Sequence, residues 1–218
     1  MSAFPNSPRL IKGGIVLLDP DSGAVQRIIP LQYNPDSLTR TLQPQAVKES
    51  GDRSEALRLT GPPVETIKLE AEIDATDQLE FPDQNPNTTQ YGIHPQLAVL
   101  ETIVYPTSTQ LTVNNGLAQA GTLEILPAET PLTLFLWSSQ RVIPVRLTEC
   151  SITEEAFDTA LNPIRAKVSL GMRVLNINDL PFDHRGSNLF MSYLQQKEGL
   201  ANKSQSAPLS TLGVTSIS

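Results

Sequence analysis

The stretch Ile164-Arg-Ala-Lys-Val-Ser-Leu-Gly-Met-Arg-Val174 decides the fold class, because apolar residues occupy almost every second position in it. Arg165, Lys167 and Arg173 stand between them. A period of two places one set of side chains on a buried face and the other set in water or against a partner. The sequence therefore predicts a long β-strand that is buried on one face.

Apolar and polar residues also alternate earlier in the chain. Ile67, Leu69, Ala71 and Ile73 alternate with four charged residues, which we expect to point outward: Lys68, Glu70, Glu72 and Asp74. Further strands are predicted at Leu132–Trp137 and Val142–Ile152. Near the start, Gly14–Leu18 and Ala24–Tyr33 flank the turn Asp19-Pro-Asp-Ser-Gly23, which favours a hairpin, and Ser37–Leu42 resumes the strand. The fold class is therefore mainly β.

Two helices are predicted beside the strands. His94–Tyr105 has apolar residues at helical spacing, Pro95 suits its first turn, and Pro106 ends it. Asn188–Lys197 is expected to be a short docked helix with Ser187 as N-cap. Its apolar stripe comprises Leu189, Phe190, Tyr193 and Leu194.

The remaining segments are polar. Residues 75–92 are expected to form a loop, and 107–131 a polar insertion with short strand pieces at Gln110–Val113 and Thr122–Leu126. Residues 43–63 are either a long connection or an extended hairpin tip. After Leu200 the chain has little hydrophobic patterning, so we expect a mobile tail that becomes ordered only against a partner. The alternative is an unstructured end without a role.

The composition argues against several classes of partner. The net charge is −7 and no run of Lys or Arg stands out, so no footprint for nucleic acid is expected. No run of about 18 apolar residues suggests insertion into a membrane. The start lacks the apolar core of a secretory signal, and the single cysteine fits a reducing compartment. We therefore expect a cytoplasmic protein.

The sequence shows no group of residues arranged for catalysis or for binding a metal or cofactor. Cys150 lies in a predicted strand, and the only histidines, His94 and His184, are far from it and from each other. Nucleophilic catalysis needs a nucleophile beside a base, and zinc needs closely spaced ligands. Phosphate-binding glycine motifs are also missing. We therefore expect no enzyme activity, no catalytic residue, no metal and no cofactor.

Three short motifs carry a resemblance to a known family. Tyr33-Asn34-Pro35 follows the first hairpin, Pro131-Leu-Thr-Leu-Phe-Leu-Trp137 opens the last third, and Pro163-Ile-Arg-Ala-Lys-Val168 begins the closing strand. In this order they resemble the tube-initiator (hub adaptor) proteins of contractile injection systems, which are phage-tail-like particles. The motif residues are Asn34, Pro35, Pro131, Phe135, Trp137, Pro163 and Arg165.

The resemblance implies a fold and a role. It covers about residues 12–180, for which it implies a split β-barrel like that of phage-tail tube proteins, with one flanking helix. Residues 181–218 would form a short C-terminal helix and a flexible tail, without the LysM domain of many family members. The implied role is a homo-hexameric ring that connects the inner-tube protein to the spike hub and baseplate and initiates the tube.

Two questions stay open at this point. An open β-barrel leaves edge strands that neighbours in a ring can pair with. Val64–Ala75, with its outward face of Lys68, Glu70, Glu72 and Asp74, is the candidate inter-subunit strand, but that face is equally consistent with simple solvation. The alternative function is a ligand- or carbohydrate-binding β-barrel module. That class favours clustered exposed aromatics, whereas aromatics make up only 5% of this chain.

Overall fold

The computed structural model describes residues 10–20, 22–46, 57–121 and 130–217, and within them seven strands form one antiparallel sheet. Its order is β2-β1-β5-β6-β7-β4-β3. The strands are β1 (Gly14–Leu18), β2 (Val25–Pro30), β3 (Leu38–Ala46), β4 (Leu59–Asp74), β5 (Leu132–Ser138), β6 (Arg141–Phe157) and β7 (Pro163–Val174). The predicted mainly-β fold is confirmed. The sheet is not closed, because β2 and β3 end it as separate edges.

The alternation in the sequence corresponds to the two faces of the sheet. In β7, Ala166, Val168, Leu170, Met172 and Val174 are all buried. The buried set of β4 begins with Glu65 and continues through Ile67, Leu69 and Ala71. These apolar residues belong to one contiguous core cluster that also contains residues of β1. Because β1 and β4 are four strands apart in the sheet order, sharing a core requires a strongly curved sheet.

The hairpins agree well with the sequence. β1 has the predicted bounds and pairs with β2, from Gly14↔Pro30 to Leu18↔Val25. β3 and β4 form a long antiparallel hairpin, in which β3 ends at Ala46 and β4 begins at Leu59. Parts of the predicted connection 43–63 therefore belong to paired strands. β6 pairs first with β5 and then with β7, and Val145 has a partner in both of them.

Five α-helices are found in the described ranges: α1 (Thr76–Leu79), α2 (Pro86–Tyr91), α3 (His94–Glu101), α4 (Ser108–Gln119) and α5 (Arg185–Ala201). The segment 75–92 was expected to be a loop, and this expectation is wrong. Pro82 starts a 3-10 helix and Pro86 starts α2, because a proline in the first turn of a helix loses no backbone hydrogen bond.

The predicted helix after His94 is confirmed, with Leu97 and Leu100 in the core, but its predicted end at Tyr105 is wrong. α3 ends at Glu101, where the chain enters the β-branched run Thr102-Ile-Val, which disfavours helix. The strand piece expected at Gln110–Val113 is also wrong, because these residues belong to α4. Thr107 caps α4, its Oγ1 accepting from the Gln110 backbone N–H at 3.3 Å. The strand expected at Thr122–Leu126 lies outside the described residues.

α5 is longer than predicted and has a different cap. His184, not Ser187, is the N-cap, and its Nδ1 accepts from the Gly186 backbone N–H at 3.0 Å. Ser187 instead lies inside the helix and donates to Pro181 O at 2.8 Å. Phe190 and Tyr193 enter the main core. The division of the chain at residue 180 stays a prediction.

Candidate assembly interface

The segment after β2 ties the two ends of the curved sheet together. Gln32 Nε2 donates to Asp74 O at 2.6 Å, and the Asp74 N–H donates to Gln32 Oε1 at 3.0 Å. The amide group of one side chain thus satisfies both backbone groups at the end of β4, as a neighbouring strand would. We call residues 31–35 the seam segment.

Asn34 makes the corresponding connection on the side of β1. Its Nδ2 donates to Ile11 O at 2.8 Å, and its Oδ1 accepts from the Gly13 N–H at 2.9 Å. Asn34 therefore fixes the chain that leads into β1, while Gln32 fixes the end of β4. Asn34 of the Tyr33-Asn34-Pro35 motif thus has a structural role, which the sequence alone did not reveal.

Replacing Asn34 with alanine should weaken this connection. We expect the free energy of unfolding to fall by about 1–2 kcal/mol, because the Gly13 N–H and Ile11 O lose their partner. Hydrogen exchange at the Gly13 amide should become faster than in the wild type. As a control, Asn87→Ala, at an exposed position of α2, should change neither quantity. An unchanged rate at Gly13 in Asn34→Ala would contradict the assigned role.

The outer face of the sheet carries a ladder of charges across β4, β7 and β6. Four pairs lie within ion-pair distance: Lys68–Glu149 at 3.1 Å, Glu72–Arg165 at 3.8 Å, Asp74–Arg165 at 2.8 Å and Lys167–Glu155 at 3.6 Å. Most of these side chains are substantially exposed, so each pair contributes little to stability. Among the described residues, no ion pair is found for Glu70.

The candidate inter-subunit strand is not an edge along its whole length. β4 lies between β7 and β3, and β3 pairs with it as far as Leu38↔Leu69. Only the stretch from Glu70 to Asp74 extends beyond β3. The complete edges of the sheet are β2 and β3. The contact role of Lys68, Glu70, Glu72 and Asp74 stays a prediction, and solvation stays the alternative.

Arg165 and Pro163, both from the third motif, organise the start of β7. The Arg165 Nε bonds Asp74 Oδ2 at 2.8 Å. Burial alone would raise the pKa of Asp74, but the hydrogen bonds from Thr76 and Arg165 outweigh it and lower the pKa below its usual value. Pro163 O accepts from the Ile93 N–H at 2.9 Å and so positions α3. A Cβ on Gly92 would lie 2.3 Å from that oxygen, which explains the glycine there.

The second motif builds the core beneath β5. The rings of Phe135 and Trp137 stack with centroids 5.9 Å apart, so they share one face as expected. Phe135 is buried, whereas Trp137 is only partly buried and packs against the main core. The Trp137 ring also lies on Gly13, where a Cβ would approach its Cε3 to 2.7 Å. Pro131 directly precedes β5.

A buried carboxylate that sequence analysis missed joins α5 to the sheet. Glu65 is 3% exposed, and its Oε1 accepts from Arg40 Nη2 at 2.6 Å and from Tyr193 Oη at 3.0 Å. Its Oε2 accepts from Lys197 Nζ at 2.8 Å. Burial would raise the pKa of Glu65, but the hydrogen bonds and charges of Lys197 and Arg40 outweigh it and lower the pKa below its usual value. The sequence did indicate this burial, because Glu65 lies two residues before Ile67 and so falls on the buried face of β4.

The lowered pKa of Glu65 predicts a loss of stability in acid. A carboxylate with a folded-state pKa below its unfolded value stabilises the fold above the unfolded pKa, and this contribution disappears as pH falls through the folded pKa. We expect the free energy of unfolding to fall as the pH drops below about 4.3, the usual pKa of a glutamate. Glu65→Gln should show a shallower fall in denaturant titrations, with Asp74 supplying part of the remainder. An identical pH dependence in both proteins would contradict the assignment.

The residues that could have supplied chemistry are separate from one another. Cys150 is half-buried in β6, and burial raises the pKa of its thiol, with the charge of Glu101 adding to the effect. His184 caps α5, and His94 opens α3. Within the described ranges, no three His, Cys, Asp or Glu residues come together as a metal site. The lack of enzyme activity stays a prediction. Over the same ranges, no helix is both long enough and apolar enough to cross a membrane.

Comparison with known proteins gives distant structural matches only. No protein-family model matches the chain, and no curated protein does. One solved structure that it resembles is the tail of an empty gene transfer agent particle, computed with C6 symmetry, at 12% identity over 75% of this chain and 90% of that one, with a TM-score of 0.28. Another is the virion of a native gene transfer agent particle, at 12% identity over 74% and 90%, with a TM-score of 0.26. Overlaps this low assign neither a fold nor a function.

Proposed function

We propose that the chain is a structural ring subunit of a phage-tail-like contractile injection system. In this role it forms a homo-hexamer that connects the inner tube to the spike hub and baseplate and initiates tube assembly. Its partners would be copies of itself, the inner-tube protein, and the spike and baseplate proteins. The particle would be assembled in the cytoplasm.

The observation that carries the proposal is an open sheet whose two edge strands expose apolar side chains. Val25 and Ile28 of β2 are 58% and 65% exposed, and Leu42 of β3 is 48% exposed. Edge strands of a monomer are usually short, charged or covered, because their free backbone groups invite another chain. Edges that expose apolar residues suit a protein whose neighbours cover them.

The arrangement of the edges suits a ring rather than a twofold dimer. β2 and β3 are different strands at opposite ends of the sheet, so pairing β2 of one copy with β3 of the next is a head-to-tail contact. Contacts of this kind close into a ring when the rotation per subunit divides a full circle. The seam segment supports this arrangement because it holds the two ends of each sheet at a fixed distance.

The resemblance in the three motifs agrees with the proposal. Each motif occupies a position that shapes the sheet: Asn34 in the seam segment, Trp137 against Gly13, and Arg165 on Asp74. Their shared effect is to fix the curvature of the sheet, which is the property that a ring subunit must keep constant.

A single charge on the β2 edge tests the proposal. Ile28→Glu places a carboxylate where the neighbouring edge would bind, so the concentration needed for half-assembly should rise at least tenfold. Ser192→Glu, on the exposed side of α5, introduces the same charge and should leave assembly unchanged. Sedimentation velocity over a concentration series measures both. Equal assembly of the two variants would contradict the use of β2 as an interface.

A further inference from the structure

A groove lies where the curved sheet fails to close. It has a volume of about 480 Å³ and runs between the β2 edge and the last residues of β4, with α3 along one side. Its lining is mostly apolar and includes Ile29, Leu31, Ala71, Ile73, Val99 and Leu100. It therefore interrupts the sheet at the place where one more strand would complete a barrel.

β3 does not pair with the stretch of β4 that forms one wall of the groove, and at its end the Gln32 side chain bonds the backbone of Asp74. Pairing with β3 ends at Leu69, whereas β4 continues to Asp74. The N–H and C=O of Asp74 point away from β7 toward Gln32, and strand alternation directs those of Glu72 to the same side. An extended segment entering the groove would therefore pair with the backbone of Glu72, and it would displace the Gln32 side chain to pair with Asp74 as well.

An unsatisfied side chain also lines this groove. The Oε1 of Gln96 is buried, and no donor reaches it within the described part of the chain. A buried acceptor without a partner costs about 1–3 kcal/mol, so such groups are normally satisfied. Gln96 also lines a second cavity beside α2, so a donor from an inserted segment reaches Oε1 only when the Gln96 side chain turns into this groove.

The chain carries a segment with the matching chemistry. Residues 202–217 are exposed throughout, Leu209–Leu212 form a 3-10 helix, and no charged residue follows Lys203. Leu212 and Ile217 are 77% and 81% exposed. Leu212 and Val214 are two residues apart, so in an extended chain they face the same side. Burying this segment would cost no charge desolvation, and Thr215 and Ser216 offer hydroxyl donors.

We infer that residues 209–217 of one copy unwind their 3-10 helix and insert as an extra strand into the groove of a second copy. This inference rests on the proposed ring. The Lys197–Glu65 ion pair, in the last turns of α5, lies on the stretch of β4 that β3 pairs, toward the opposite end of β4 from the groove. The tail therefore leaves near the β3 edge, where the ring places the β2 edge of the neighbour. Residues 202–217 span roughly 50 Å when extended at ~3.3 Å each, enough to reach it.

A disulfide between two different variants tests the inference. In a Cys150→Ala background, one protein carries Val214→Cys and the other Val99→Cys, and the two are mixed under oxidising conditions. A mixed disulfide can form only between copies. We expect at least tenfold more of it than in the control mixture, in which Ser192→Cys replaces Val99→Cys. Hydrogen exchange of the wild-type protein should also show slower exchange in residues 209–217 and 70–74 on assembly.

The outcomes separate the inference from the proposed function. A ring without excess mixed disulfide, and without slower exchange in the tail, overturns the inference and leaves the ring intact. An intramolecular disulfide in the Val99→Cys, Val214→Cys double variant, in place of the mixed one, also overturns it, because the tail would then occupy its own groove. A monomer in all samples overturns both. Deleting residues 202–218 should weaken assembly by at least tenfold, and undiminished assembly contradicts the inference.

Discussion

Replacing Glu65 with alanine is expected to lower the free energy of unfolding by about 3 kcal/mol. The carboxylate is buried and accepts hydrogen bonds from Arg40, Tyr193 and Lys197. Removing one partner of a buried ionic cluster leaves the others partly buried without compensation, which typically costs ~3–5 kcal/mol. Arg40 and Lys197 keep some access to water, so we expect the lower end of that range. Urea denaturation at pH 7 measures the difference.

The matched control for this prediction is Glu70→Ala on the same strand. Glu70 points to the outer face and is exposed, so its removal should change the free energy of unfolding by less than about 0.5 kcal/mol. Glu65→Ala should also release α5, which hydrogen exchange would show as faster exchange near Tyr193. A loss of stability below about 1 kcal/mol, with α5 still protected, would show that the cluster does not hold the helix.

Replacing Trp137 with alanine should have a similar effect. The ring stacks on Phe135 and lies against Gly13, and loss of a large buried aromatic costs ~3–5 kcal/mol. Because Trp137 is only partly buried, we expect about 3 kcal/mol, measured by denaturant unfolding.

Phe182→Ala is the control for this substitution, because that ring is 70% exposed, and it should change stability by less than about 0.5 kcal/mol. A change below about 1 kcal/mol in Trp137→Ala would place its ring outside the core. It would then favour the alternative of a ligand- or carbohydrate-binding module, in which an available indole binds the ligand.

The strands could be predicted from the sequence because burial on one face imposes a visible period. The alternating runs in β4 and β7 followed directly from apolar spacing, whereas β1 is buried at every position and was predicted from the turn that follows it. α4 could not be predicted in this way. Nearly all of its residues are exposed, so no buried face imposes a helical period, and Leu111 and Val113 resemble a short strand.

The contacts that shape the candidate interface could be predicted only in part. Glu65 was not predicted to be buried, although it continues the alternation of β4, and its partners lie on β3 and α5, far away in the chain. Asn34 was singled out by the motif resemblance, yet its bonds to Ile11 and Gly13 depend on how the chain continues past the β1–β2 hairpin, in which Gly14 pairs with Pro30. The groove likewise arises from where β3 stops pairing with β4, which no local pattern specifies.

Native mass spectrometry of the purified chain at micromolar concentration tests the central claim most directly. The account predicts a species at six times the chain mass of 23.8 kDa, and this species should be depleted in Ile28→Glu and retained in Ser192→Glu. The same spectra with the spike protein added would show whether a partner is needed to close the ring. A strict monomer both with and without the spike protein would contradict the account.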